Sequence, residues 1–133
     1  MLSLRKIEGK KLLSYLREGD FAHPGEQEAI DLVMSKFEKN HDQCILDAGC
    51  GLGGTAHYIQ EQNWGKVSAF DIEVEAIKHA KENYKNIDFH VSDASCIHDV
   101  ISVLKFDVVC MFNSFYAFSD QKKALESISK VTK

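Results

Sequence analysis

The run Cys44-Ile45-Leu46-Asp47-Ala48-Gly49-Cys50-Gly51-Leu52-Gly53-Gly54-Thr55 constrains this chain more than any other part of it. An apolar segment ends at a carboxylate. Glycines follow at alternate positions, and a segment of helical pattern starts straight afterwards. That order makes a strand, a tight turn and a helix N-terminus, with backbone bare enough for a ligand to touch. Gly49-x-Gly51-x-x-Gly54 also fits the dinucleotide-binding fingerprint, so the turn by itself leaves the ligand open.

Composition narrows the class. A chain of 133 residues suits one core, and 44% hydrophobic with 27% charged residues reads as globular. The formal net charge of −4 argues against a nucleic-acid surface. Arg5, Lys6, Lys10 and Lys11 are interleaved with Leu and Ile, and read as the solvated face of an amphipathic helix. No apolar run is long enough to span a bilayer, and Leu2 and Leu4 are followed at once by charge, unlike a signal peptide. Cys44, Cys50, Cys96 and Cys110 form no C-x-x-C pair and read as reduced thiols of a cytoplasmic protein. The six histidines have no metal-ligand spacing, so no metal is expected.

Periodicity then orders the chain. Leu4, Ile7, Leu12, Leu13 and Leu16 give a helix over 3–17, weakened by Gly9. After the break at Gly19–Gly25, the stripe Ala29, Ile30, Val33, Met34, Phe37 gives a second helix. Residues 1–39 thus read as a helical lid and 40–133 as an α/β core. In the core, strands are expected at 43–48, 67–70, 87–91 and 106–112. Helices are expected at 54–62, 73–84, 95–104 and 121–131. The last strand is the most apolar, as a strand buried on both faces should be. Short alternation of strand and helix implies parallel strands with right-handed crossovers, a Rossmann-like doubly wound sheet.

In an open α/β sheet the ligand lies outside the carboxyl ends of the strands. Those ends hold Asp47, Asp71 and Asp93. Asp71 stands twenty positions after Gly51, where a carboxylate accepts hydrogen bonds from a ribose diol. Asp93 is placed to accept from an adenine amine, although Asp71 and Asp93 also suit helix capping. Asp47 discriminates: a carboxylate beside the turn repels a pyrophosphate and favours a ligand bearing an ammonium group.

With these residues the chain resembles the class I S-adenosylmethionine-dependent methyltransferases. Asp47-Ala48-Gly49-Cys50-Gly51-Leu52-Gly53 is similar to that family's first motif, acid-x-Gly-x-Gly-x-Gly. Asp71, Asp93-Ala94 and Phe106-Asp107-Val108-Val109 resemble its later strand positions, over about residues 40–131. The resemblance implies S-adenosyl-L-methionine as cofactor and S-adenosyl-L-homocysteine as product. It implies that Gly49, Gly51 and Gly53 admit the methionine portion, beside Cys50, while Asp47 helps to hold its ammonium. Asp71 takes the ribose with Ile72 against the adenine, Asp93 and Ala94 read the adenine, and residues around Phe112 cover the methionine. The methyl acceptor is expected to be a small molecule, with no nucleic-acid or membrane partner. No general base is legible; His23, His57 and Tyr116 are the nearest candidates, and Tyr15, Phe21 and Tyr116 are candidate pocket walls.

Two other readings stay open on the residues: an NAD(P)-dependent oxidoreductase, which Asp47 opposes, and a cofactor-binding module without transfer activity. Family members continue beyond the last helix with about three more strands, so the C-terminal strands are expected to be missing here. Sheet order 3-2-1-4 would leave Val108, Val109, Cys110 and Met111 poorly covered at an edge. Sedimentation velocity is therefore expected to show concentration-dependent self-association, a homodimer through the fourth strand; a stable monomer at all concentrations contradicts it.

Overall fold

The computed structural model describes residues 7–17, 19–20, 25–101 and 105–133. Two helices come first, α1 (Ile7–Arg17) and α2 (Glu26–Met34). Strands and helices then alternate as β1 (Cys44–Ala48), α3 (Gly54–Glu61), β2 (Lys66–Asp71), α4 (Val74–Asn83) and β3 (Asp88–Val91). A 3₁₀ turn at Ala94–Cys96 leads into α5 (Ile97–Val100), β4 (Val108–Cys110), a second 3₁₀ turn at Phe115–Ala117 and α6 (Gln121–Val131).

The sheet has the order β3-β2-β1-β4, and its three strand pairs are all parallel. The α/β fold with parallel crossovers is the one expected from the alternation. The strand's period of two sorts the core into two layers. Ile45, Val67, Ala69, Phe89, Val108 and Cys110 face Ile30 and Met34 of α2, Ala56 and Ile59 of α3, and Ile77 and Ala80 of α4. Leu46, Ala48 and Phe70 face the other way, against Ala94, Ile97 of α5, and Ala124, Ile128 and Val131 of α6. Because both faces are covered, β1 is buried almost end to end.

Several expectations need correction. The fourth strand pairs with β1 over Val108–Cys110 only, not over 106–112. Phe106 instead bridges to Thr132, and the Asp107 carboxylate turns back to accept from the Cys44 N–H at 2.8 Å. Nor are the β4 side chains poorly covered. Val108 and Cys110 are buried, and Cys110 Sγ lies 3.8 Å from Met34 Sδ. Val109 and Met111 pack partly against the α5–α6 layer. Among the described side chains of α2, only Ile30 and Met34 reach the core. Val33 is half exposed, and Phe37 lies beyond the last helical residue, so a nine-residue helix presents one turn-to-turn pair to the sheet. The first helix begins at Ile7 in the described residues, and residues 3–6 of its expected range lie outside them.

This layering separates two apolar positions by consequence. Ile45→Ala removes a fully buried branch from the centre of the sheet and is expected to cost about 2–5 kcal/mol. Leu32→Ala, at a position 68% exposed on α2, is expected to stay within about 0.5 kcal/mol. Chemical denaturation with unchanged slope checks both.

Candidate functional site

The turn after β1 is pinned to the end of β2. Gly49 N–H and Cys50 N–H both donate to the Phe70 carbonyl at 2.9 Å. Gly49 has φ +80°, and a Cβ there would stand 2.5 Å from Ser114 Cβ. Glycine is thus required twice over, by backbone conformation and by space. Ser114 closes the arrangement by donating from Oγ to the Ala48 carbonyl at 2.6 Å. Gly53, at φ +95°, serves a different end: a Cβ would meet Ala80, Phe89 and Tyr84 at 3.0 Å, so its bareness lets α3 pack against α4 and β3.

Beyond the strand ends lies one cavity of about 240 Å³. Of the residues singled out from the sequence, Asp47, Gly49, Cys50, Gly51, Asp71, Ile72, Asp93, Ala94 and Phe112 line it, and so does Tyr116. Gly53 does not. His57 is turned away, stacked on Tyr84 at 4.5 Å between ring centres and 3.3 Å from Glu61. Tyr15 is largely exposed on α1. His23 and Phe21 lie outside the described residues.

Asp71 organises the rim. Its Oδ2 accepts from Gly51 N–H at 2.9 Å and its Oδ1 from Glu73 N–H at 3.0 Å. One carboxylate therefore holds the glycine turn and the approach to α4 together. Asp93 accepts at Oδ1 from the N–H and the hydroxyl of Ser95, at 2.8 and 2.7 Å. It both caps the following 3₁₀ turn and faces the cavity, and the Ser95 N–H holds its carboxyl below the usual range. Asp47 is the opposite case. It is 2% exposed, and its Oδ2 meets no hydrogen-bond donor among the described residues. Burial, helped by the charge of Asp71, pushes its carboxyl up to about 7. Burial, with the charges of Asp47 and Asp71 behind it, also drives the Cys50 thiol well up, so this cysteine is a packing group and no nucleophile.

Sequence reading missed some of the lining. Lys10 turns its ammonium into the cavity, contrary to the solvated-face reading, and Glu73, Thr55, Ser92 and Phe118 also contribute, beside Asn113 at the end of β4, which the strand-end argument includes. Asn113 has φ +53°, a conformation that Asn tolerates better than most residues.

A buried acceptor without a donor, beside a second carboxylate and a bare glycine turn, suits a ligand that brings cationic and hydroxyl donors. A family model for a methyltransferase domain matches residues 39–133. The chain belongs to the class I methyltransferase family. It is 32% identical over 114 residues to the uncharacterized methyltransferase YodH of Bacillus subtilis, covering 84% of this chain and 48% of that one. Among solved structures, an Aquifex aeolicus SAM-dependent methyltransferase superposes with TM-score 0.71 at 24% identity, over 96% of this chain and 68% of that one. Haemonchus contortus phosphoethanolamine N-methyltransferase 2, solved in complex with S-adenosyl-L-methionine, superposes with TM-score 0.78 at 20% identity, over 100% of this chain and 34% of that one. The chain spans about half the length of the first relatives it matches.

In this member of the family the buried acid carries a pH signature. Between its unfolded value near 4 and about 7, the native Asp47 retains a proton that the unfolded chain has lost, so stability falls as pH rises through that window. Asp47→Asn is expected to abolish that fall. Its melting temperature should equal or exceed that of the wild type at pH 8, with the gap narrowing towards pH 5. Melts of both proteins across this range check it; parallel curves contradict it.

Proposed function

We propose that this chain carries the S-adenosyl-L-methionine site of a methyltransferase acting on a small-molecule acceptor. The observation that carries the reading is the convergence of Asp47 and Asp71 on the glycine turn in one cavity. Two carboxylates at this point oppose a diphosphate and favour an amino-acid nucleoside with ammonium, sulfonium and ribose hydroxyls. The fold shared with an enzyme solved in complex with this cofactor supports the same conclusion.

The residues divide the work. The backbone of Gly49 and Gly51 admits the methionine portion, and Asp47 draws its ammonium. Each oxygen of Asp71 already accepts one backbone N–H, which leaves it two further acceptor positions for a ribose diol. Ile72 offers an apolar face to the adenine, and Asp93 with Ala94 reads its edge. When bound, the cofactor would supply an electrophilic methyl to the acceptor's lone pair, with the carbon–sulfur bonding pair retained by S-adenosyl-L-homocysteine as the product. The chain contributes alignment and exclusion of water. Phe112, Tyr116 and Phe118 wall the cavity beyond β4. No base is assigned, and a neutral amine acceptor needs none for the transfer step.

Titration calorimetry is expected to show binding of S-adenosyl-L-homocysteine and none of NADH. Asp71→Asn should weaken that binding about tenfold to a hundredfold, the scale of hydrogen bonds to a charged acceptor. Tighter binding of NADH overturns the cofactor assignment. Binding without transfer of radiolabelled methyl to any small molecule in a cell extract overturns the enzymatic half alone.

A further inference from the structure

Lys10 reaches the cavity from α1, outside the residues that the family model matches. Its Nζ stands 3.6 Å from Asp71 Oδ2 and 3.6 Å from Glu73 Oε1, with only 13% of the side chain exposed. Its stem passes Gly51, where a Cβ would lie 4.0 Å from Lys10 Cδ. A lysine so placed has given up much of its hydration for contact with two carboxylates at once.

The far end of the same helix is held quite differently. Ser14 donates to Asp20 Oδ1 at 2.5 Å. Tyr84 OH and His79 Nε2 converge on Asp20 Oδ2 at 2.7 and 2.9 Å. The Asp20 backbone rests on Gly54, where a Cβ would come within 2.7 Å of it. So the C-terminal end of α1 is fixed by short hydrogen bonds and close packing, while its N-terminal half is drawn to the cavity by charge.

We propose that Lys10 is an affinity-determining residue of the cofactor site, competing with the ribose diol for the Asp71 carboxylate, so that cofactor binding releases the N-terminal half of α1. The inference rests on the cofactor reading above. Asp71 has two acceptor positions left after Gly51 N–H and Glu73 N–H, the number that a diol fills. Lys10 stands at Oδ2, on one of them. The methyl donor also carries a net positive charge that its demethylated product lacks, so the ammonium opposes the donor more than the product. Release at Lys10 leaves α1 hinged on Asp20, as a lid whose position reports cofactor occupancy.

The test compares wild type, Lys10→Met and Lys10→Arg by calorimetry with S-adenosyl-L-homocysteine and S-adenosyl-L-methionine, and by amide hydrogen exchange of residues 11–13, whose N–H groups bond back to the first turn of α1, with residues 14–17 as the anchored reference. Lys10→Met is expected to bind the product about fivefold more tightly and to gain more for the donor, the scale of one partly buried ion pair. Lys10→Arg is expected to bind no more tightly than wild type. Ligand should speed exchange in α1 of the wild type, and Lys10→Met should exchange fast without it. Weaker binding by Lys10→Met together with ligand protection of α1 overturns the proposal and makes Lys10 a direct ligand. Absence of binding by all three proteins rejects the cofactor reading instead. Lys10→Gln repeats the comparison if the methionine variant fails to fold.

Discussion

The Asp71 carboxylate is the constraint on which the rest of the site depends. It stands at the end of β2, yet it bonds the N–H of Gly51 in the turn after β1 and the N–H of Glu73 before α4. A parallel sheet brings successive strand ends to one edge, and their loops would otherwise have only sequence-local partners. Asp71 couples two of those loops through one side chain. The Phe70 carbonyl repeats the link by accepting from Gly49 and Cys50, and Asp71 O accepts from Ser92 to bring in the loop after β3. The cavity floor is therefore assembled from three strand ends by short bonds around one residue pair, Phe70–Asp71.

That arrangement sets two carboxylates close together under cover. Asp47 is buried by the same strand that supplies Ile45 to the α2–α3–α4 layer, because residues two apart on a strand share a face. A leucine there would cost nothing in desolvation. Retaining an acid instead raises its proton affinity and leaves an oxygen without a donor. In the proposed cofactor site, the ligand's ammonium would satisfy that oxygen and restore its charge.

Much of this was legible in the sequence, because the informative interactions are local or periodic. The strand, glycine turn and helix over residues 44–61 follow from adjacent residues, the parallel sheet follows from alternation and the handedness of crossovers, and the order β3-β2-β1-β4 is the one the family resemblance implies. What escaped was long-range. Lys10 has the spacing of a solvated helical face, and only the fold shows that α1 lies against the strand ends. Gly53 fits the glycine pattern as a ligand residue, whereas its bareness serves helix packing against Tyr84 and Ala80. The hydrophobic run 106–112 predicts a long strand, but hydrophobicity does not say what buries it: Phe106 goes to α6, Phe112 to the cavity wall, and only the middle joins the ladder.

The charge pattern also explains why the same glycine fingerprint serves different ligands. A glycine turn with a helix N-terminus behind it attracts an anion through its N–H groups. Here α3 begins at Gly54, but the Gly49 and Cys50 N–H groups are spent on Phe70 and the Gly51 N–H on Asp71. Three donors of the glycine turn are thus consumed inside the fold, and the charged groups facing the cavity from β1 and β2 are the carboxylates of Asp47 and Asp71. The neighbouring strand thus removes backbone donors from the turn and adds a carboxylate beside it. The glycines fix the shape of the turn; the residues after β2 fix its electrical sign.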